Sequence, residues 1–148
     1  MLPPRPNGAA IEALIGPYAD TKVAMSEREA NYRALVGFVP PRIESRLRVT
    51  GALDPTVLDM QEAMRDYAMN PACFDTKTAQ LMLFGMLLMD LSDASLMHGV
   101  AARRAGASWE EMQAVVSLCF LFRGLPGANR GAECIAEIAR REFEAGVK

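Results

Sequence analysis

FDTKTAQLMLFGMLLMDLSDASLMHGVAARRAGASWEEMQAVVSLCFLFRGLPGANRGAEC, residues 74–134, decides the fold. From Leu81 to Met89 only Gly85 is not a large hydrophobe. That run is too short for a bilayer, which takes about 20 apolar residues. A helix apolar on every side must be buried, in a core or between subunits. The punctuation is equally clear. Asp75 and Thr76 suit the cap of a helix beginning near Lys77. Gly106 sits where a helix from about Ser92 would end in a left-handed residue. Ser108 and Glu111 form an S-x-x-E capping box for the next helix, along which Met112, Val115, Val116, Cys119 and Phe122 recur at helical spacing. Gly124 ends that helix, and Pro126 suits the first turn of another. Consecutive helices with tight connections pack antiparallel at least cost.

Outward from this stretch the helical reading continues. A Pro-rich arm of about eight residues is followed by a short apolar segment, Ala9 to Ile15, broken by Gly16-Pro17. Ser26 and Glu29 make a second S-x-x-E box, predicting a helix from about Glu27 to Gly37. A short helix near Pro41 to Val49 ends at a turn on Gly51. Asp54-Pro55 then reads as an N-cap with proline in the first turn. Val57, Met60, Met64 and Tyr67 share one face of the helix from Pro55 to Met69. In the last helix, about Pro126 to Glu144, Ala128, Ala132, Ile135, Ala139 and Phe143 form the expected inner face, with Glu137 and Arg141 an i,i+4 pair opposite. No segment alternates with period two for long enough to make a strand. The expectation is an all-α bundle of six or seven helices, with residues 1–25 an N-terminal arm and 26–148 one helical domain.

The chain has 148 residues, 51% of them hydrophobic, and a net charge of −2. That apolar fraction exceeds what a small monomer needs and points to surface buried between subunits. Charges of both signs are interspersed, without the basic stripe of a nucleic-acid binder. Met1-Leu2-Pro3-Pro4-Arg5-Pro6 lacks the apolar core of a signal peptide, so the expected location is cytoplasmic. Cys73, Cys119 and Cys134 are scattered and odd in number, which suits a reducing compartment. With one histidine and no C-x-x-C, few ligands exist for a transition metal, and no metal is expected.

His98 is the only histidine. Leu91, Ala94, Ser95, Ala101, Ala102 and Ala105 share its helix face, leaving room for a ligand or for close helix packing. An imidazole there either moves a proton or is simply satisfied by a backbone carbonyl or by Ser95. Arg123, at the end of its helix, is either a solvated cation at a helix C-terminus or a two-pronged clamp for a carboxylate. Asn129 and Arg130 open the last helix, whose free N–H groups favour anions. Gln80 is either a hydrogen-bond donor within the bundle or an ordinary polar residue. Met82, Met86, Met89, Met97 and Met112 read as deformable core or interface, or as the lining of a pocket for a greasy substrate. Asp93 lies about 140° round the helix from His98 and is a poor partner for it.

Several of these residues carry a family resemblance. His98 is followed by Gly106, then by Ala107-Ser108-Trp109-Glu110-Glu111-Met112, then by Arg123-Gly124-Leu125-Pro126-Gly127-Ala128-Asn129. The order resembles the carboxymuconolactone decarboxylase family, which contains the alkylhydroperoxidase D group and carries a G-x-P-A-A-N segment. The resemblance spans roughly 60 residues, with a weaker extension back to about Pro40 through Gly51-Ala52-Leu53-Asp54-Pro55. The peroxidase branch of that family has C-x-x-C with a histidine four residues after the second cysteine. Counted back from His98, those positions are Ala94 and Leu91. The glutamate of that branch's proton relay falls at Ala79 or Gln80. Thiol peroxidase chemistry, which needs a low-pKa thiolate and a resolving partner, is therefore not expected.

The resemblance implies an alkylhydroperoxidase D-like bundle assembled as a homo-oligomer, a trimer or hexamer. It implies a cofactor-free decarboxylase, or a related lyase or isomerase. The substrate would be a small carboxylated lactone or unsaturated acid from aromatic-compound breakdown. His98 would be the general acid/base, and Arg123, Asn129 and Gln80 would bind substrate. The alternative, from a different class, is a non-catalytic oligomeric protein that binds a small ligand and has lost the redox thiols.

Overall fold

In the computed structural model, described for residues 4–19 and 22–147, the chain is all-helical. Eight helices run in the order α1 Gly8–Ile15, α2 Met25–Val36, α3 Pro41–Leu53, α4 Pro55–Met69, α5 Thr76–Met89, α6 Ala94–Arg104, α7 Trp109–Arg123 and α8 Leu125–Glu144. The described residues therefore hold one or two helices more than expected, and no strand. The chain divides into two compact units, Met1–Met69 and Asn70–Lys148.

In the first unit, α1 lies inside the expected arm and packs on α3, capped by the Asn7 side chain, which accepts from Ala10 N at 3.0 Å. Tyr32, Leu47 and Leu58 form a small apolar core. Three expectations fail here. The Ser26/Glu29 box does not form, because α2 starts two residues earlier with Ala24 as its N-cap, and Glu29 instead bonds Arg33 and Arg48. Gly51 is no turn. It lies inside α3, where an added Cβ would fall 2.2 Å from the Tyr18 ring. On α4, Met60, Met64 and Tyr67 face solvent, and Leu58 is the residue that turns inward. The same helix directs Asp59 and Glu62 to Arg28 and Arg46. Tyr32 donates to Glu62 at 2.9 Å, and the Arg65 guanidinium lies 4.3 Å from the Tyr32 ring centroid. Buried charges need such partners, since an unpaired one costs several kcal/mol.

The second unit follows its punctuation closely. Asp75 accepts from Thr78 N at 2.7 Å and caps α5. Gly106 has φ +95°, in the left-handed region that glycine tolerates. Both halves of the Ser108/Glu111 capping box are present. The core joins Phe84 and Leu88 of α5, Ala102 of α6, Ala107, Met112, Val116 and Cys119, and Cys134 and Ile138 of α8. Each large side chain fully buried there contributes about 1.5–3 kcal/mol. Arg103 clamps one end: its guanidinium lies 3.8 Å from the Trp109 ring centroid and donates to Glu142 at 2.9 Å.

The inner face of α8 differs from expectation. Gly127, Gly131, Cys134 and Ile138 are buried, whereas Ala132, Ala139 and Phe143 are exposed. The cause is backbone proximity: a Cβ at Gly131 would meet Val116 Cγ2 at 2.5 Å, so only glycine lets α7 and α8 come this close. α6 starts at Ala94 rather than near Ser92, and Leu91, at φ +52°, belongs to the turn before it.

Candidate functional site

His98 sits in the middle of α6, 7% exposed. The helix is positioned by small residues on its inner side: Gly99, Ala101 and Ala102 are all buried. A Cβ on Gly99 would meet Ile138 Cδ1 at 2.7 Å, so α6 is drawn close to α8 beside the histidine. Across the α5–α6 contact stands Gln80, 2% exposed. His98 Nδ1 and Gln80 Oε1 are 2.8 Å apart. An amide oxygen only accepts, so Nδ1 donates to Gln80 whenever it carries the ring hydrogen. The same bond survives when Nε2 takes a proton, because Nδ1–H still donates to Gln80.

One turn earlier on α6, Ser95 is fully buried, donates to Ser92 O at 2.7 Å and lies 3.3 Å from Cys134 Sγ. Burial, opposed by the Ser95 hydrogen bond and the charge of Arg130, pushes the Cys134 thiol up. Burial also raises Cys119, whose Sγ donates to Gly85 O at 3.4 Å. Both are packed thiols rather than nucleophiles. Cys73 is exposed, and all three are unpaired. Among the described residues no group of three or more His, Cys, Asp or Glu side chains could hold a metal ion.

The expected site residues divide. Gln80 meets His98 directly and acts on the imidazole itself, a role beyond the substrate contact expected of it. Arg123 and Asn129 lie at the α7–α8 corner, both exposed, and the Arg123 stem packs where a Cβ on Gly127 would lie, at 3.0 Å. Arg130 pairs with Asp93 and with Glu133, the latter at 2.8 Å. Asp93 thus serves Arg130.

A groove of about 620 Å³ runs along α5 and α7. Leu81, Met82, Gly85, Met86 and Met89 form one wall, and Val115, Leu118, Cys119 and Phe122 the other. Lys77 and Glu111, 2.7 Å apart, close one end. This groove has no wall from α6 and does not include His98. Gly85 explains its depth, since a Cβ there would lie 2.9 Å from Val115 Cγ1. The sequence signalled the groove only as a methionine-rich run and an apolar end to α7.

No helix among the described residues is long and apolar enough to cross a membrane. Compared with protein-family models, curated proteins and solved structures, the chain has no match.

Proposed function

We propose that the chain is a decarboxylase, or a related lyase or isomerase, of the carboxymuconolactone decarboxylase type, acting on a small carboxylated lactone or unsaturated acid. The observation that carries this reading is the buried His98–Gln80 pair, an imidazole hydrogen-bonded at Nδ1 to a partner on another helix. The resemblance around His98, Gly106 and Gly124–Asn129 supplies the substrate class. It also supplies the alkylhydroperoxidase D-like bundle and the trimer or hexamer, while the scattered, odd set of cysteines supports a cytoplasmic setting.

The chemistry follows from the substrate. As the C–C bond to the carboxylate breaks, carbon dioxide leaves and its electron pair moves into the conjugated carbonyl, giving an enolate. A carbon of that enolate then takes a proton. His98, protonated at Nε2, delivers it, and water restores the proton afterwards. Gln80 holds the ring through both states. Its amide NH₂ is the remaining donor of the pair for a substrate oxygen. The resemblance would have Arg123 bind the carboxylate of the incoming acid and Asn129 steady developing oxyanion charge; both stand exposed at the α7–α8 corner, outside the His98–Gln80 pair. Isomerisation needs the same proton movements without loss of carbon dioxide.

The test is incubation of the purified protein with carboxylated five-membered lactone acids, following carbon dioxide release and the product's double-bond position. Turnover without any added cofactor is expected. Saturable binding with no turnover across the series would replace this reading with the non-catalytic one.

A further inference from the structure

Asn7 is the only asparagine followed by a glycine; Asn31, Asn70 and Asn129 precede Tyr32, Pro71 and Arg130. An Asn–Gly peptide is chemically labile, because the glycine nitrogen, with no Cβ beside it, can swing onto the side-chain carbonyl carbon. Here that peptide opens α1 and is held by two hydrogen bonds. Gly8 N–H donates to Glu44 Oε1 of α3 at 3.0 Å, and Asn7 Oδ1 accepts from Ala10 N at 3.0 Å. Gly8 is buried against α3, where an added Cβ would lie 2.5 Å from Glu44 Oε1 and 2.9 Å from Arg48 Nε. That close approach is why glycine must follow Asn7 despite the lability. Buried Ile11, and Glu12 at 3.5 Å from Arg48, fasten the rest of α1. Asn7 itself is exposed to water.

We propose that Asn7–Gly8 is a deamidation site gated by the docking of α1 on α3. Ring closure needs Gly8 N, stripped of its proton by a solvent base, within bonding reach of Asn7 Cγ. Asn7 holds ψ at 174°. Closure requires rotation about that bond, which breaks both the Gly8–Glu44 and the Asn7–Ala10 hydrogen bonds. While α1 is docked, the peptide is locked. α1 has eight residues, and isolated helices under about 12–15 residues are marginal in water. When α1 leaves α3 both restraints are therefore lost together. The Gly8 N–Cγ bond then forms, the Cγ–NH₂ bond breaks, and the nitrogen leaves as ammonia with a proton from water. Water opens the resulting succinimide at either carbonyl, giving aspartate or isoaspartate at position 7. Isoaspartate lengthens the main chain by a methylene and takes the cap oxygen out of register with Ala10 N, which disfavours redocking. The site thus records release of α1 permanently. It uses nothing of His98 and stands or falls apart from the proposed reaction.

The experiment incubates the full chain at neutral pH in heavy-oxygen water and follows Asn7 by peptide mass mapping, which detects the incorporated oxygen and separates aspartate from isoaspartate. Folded wild type is compared with wild type unfolded in guanidinium chloride, and with folded Glu44→Ala and Ile11→Ala. Folded wild type should be labelled at Asn7 at least tenfold more slowly than the unfolded chain, because modification tracks the fraction of open molecules. Glu44→Ala should be labelled about fivefold faster than wild type, the effect of one net hydrogen bond, and Ile11→Ala faster still. Asn7→Ser, which keeps a cap, should take up no label there. If circular dichroism shows that Ile11→Ala does not fold, Glu44→Ala decides. Equal labelling of folded and unfolded wild type would overturn the inference. So would a Glu44→Ala rate at or below that of wild type, which would make Glu44 a base for the reaction rather than a restraint on it.

Discussion

His98 on α6 and Gln80 on α5 meet Nδ1 to Oε1 at 2.8 Å, both buried. The bond ties the only histidine to a residue 18 positions earlier in the sequence. Gln80→Leu removes the acceptor and leaves a buried N–H unpaired, at a cost of about 1–3 kcal/mol in stability. In the proposed reaction turnover should drop by about 10- to 100-fold, chiefly in kcat. Gln80→Glu keeps an acceptor and should recover much of the activity, with a pH profile displaced upward by the added negative charge. Equal kcat values and pH profiles in all three proteins would remove Gln80 from the mechanism.

Gly131 and Gly99 predict an ordered pair of stability losses. At Gly131 an added Cβ meets the stiff, β-branched Val116 at 2.5 and 2.7 Å on its two methyls and at 3.1 Å on its Cβ. At Gly99 the nearest atom is the terminal methyl of Ile138, which can rotate away. Gly131→Ala should therefore cost about 1–3 kcal/mol and Gly99→Ala less, as measured by urea denaturation. The reverse order would show that α7 and α8 are not held at this spacing.

The three thiols should react at very different rates. Cys73 is exposed, whereas Cys119 and Cys134 are buried with raised pKa values. A thiol reagent under native conditions should label one site quickly and the other two only on unfolding. No dithiol-driven peroxide turnover should accompany it. Rapid labelling at Cys134, or peroxide turnover abolished by alkylation, would contradict this packing.

Tyr32 sets an alkaline limit on the first unit. Burial, partly opposed by Arg65, raises its hydroxyl to about 12 from an ordinary 10.0. The folded state thus holds the Tyr32 proton more tightly than the unfolded one. The stabilisation is complete below pH about 10 and is lost as pH rises through about 12. Ultraviolet difference absorbance should show a tyrosine transition in that upper window that Tyr32→Phe removes. All three tyrosines ionising near their ordinary value would contradict the burial of Tyr32 beside Glu62.

In the second unit and at the start of α4, local signals marked where helices begin and end, whereas the Ser26/Glu29 box and the Gly51 turn did not form. Asp75, Gly106, Ser108 with Glu111, and Asp54 before Pro55 act within a few residues of themselves, and each does what its chemistry requires. Which face turns inward was less legible. On α4 the apolar stripe is outward because Asp59 and Glu62 find arginines 31 and 16 positions away, a pairing no local window contains. On α8 the inner face is Gly127 and Gly131, which hydropathy scores as neutral although their lack of a side chain is what admits Val116. At the site, His98 was legible as the single imidazole amid small residues. Its link to Gln80 depends on how α5 and α6 cross, and Leu91 leaves the helical face because the chain turns there at positive φ.

In the proposed cofactor-free reaction of a small carboxylated lactone or unsaturated acid, His98 moves the proton. The most direct measurement compares wild type and His98→Gln under saturating substrate, with sedimentation and circular dichroism confirming the same folded assembly. The account predicts a kcat lower by about 10² to 10⁴ in the variant. A folded His98→Gln protein turning over at the wild-type rate would contradict it.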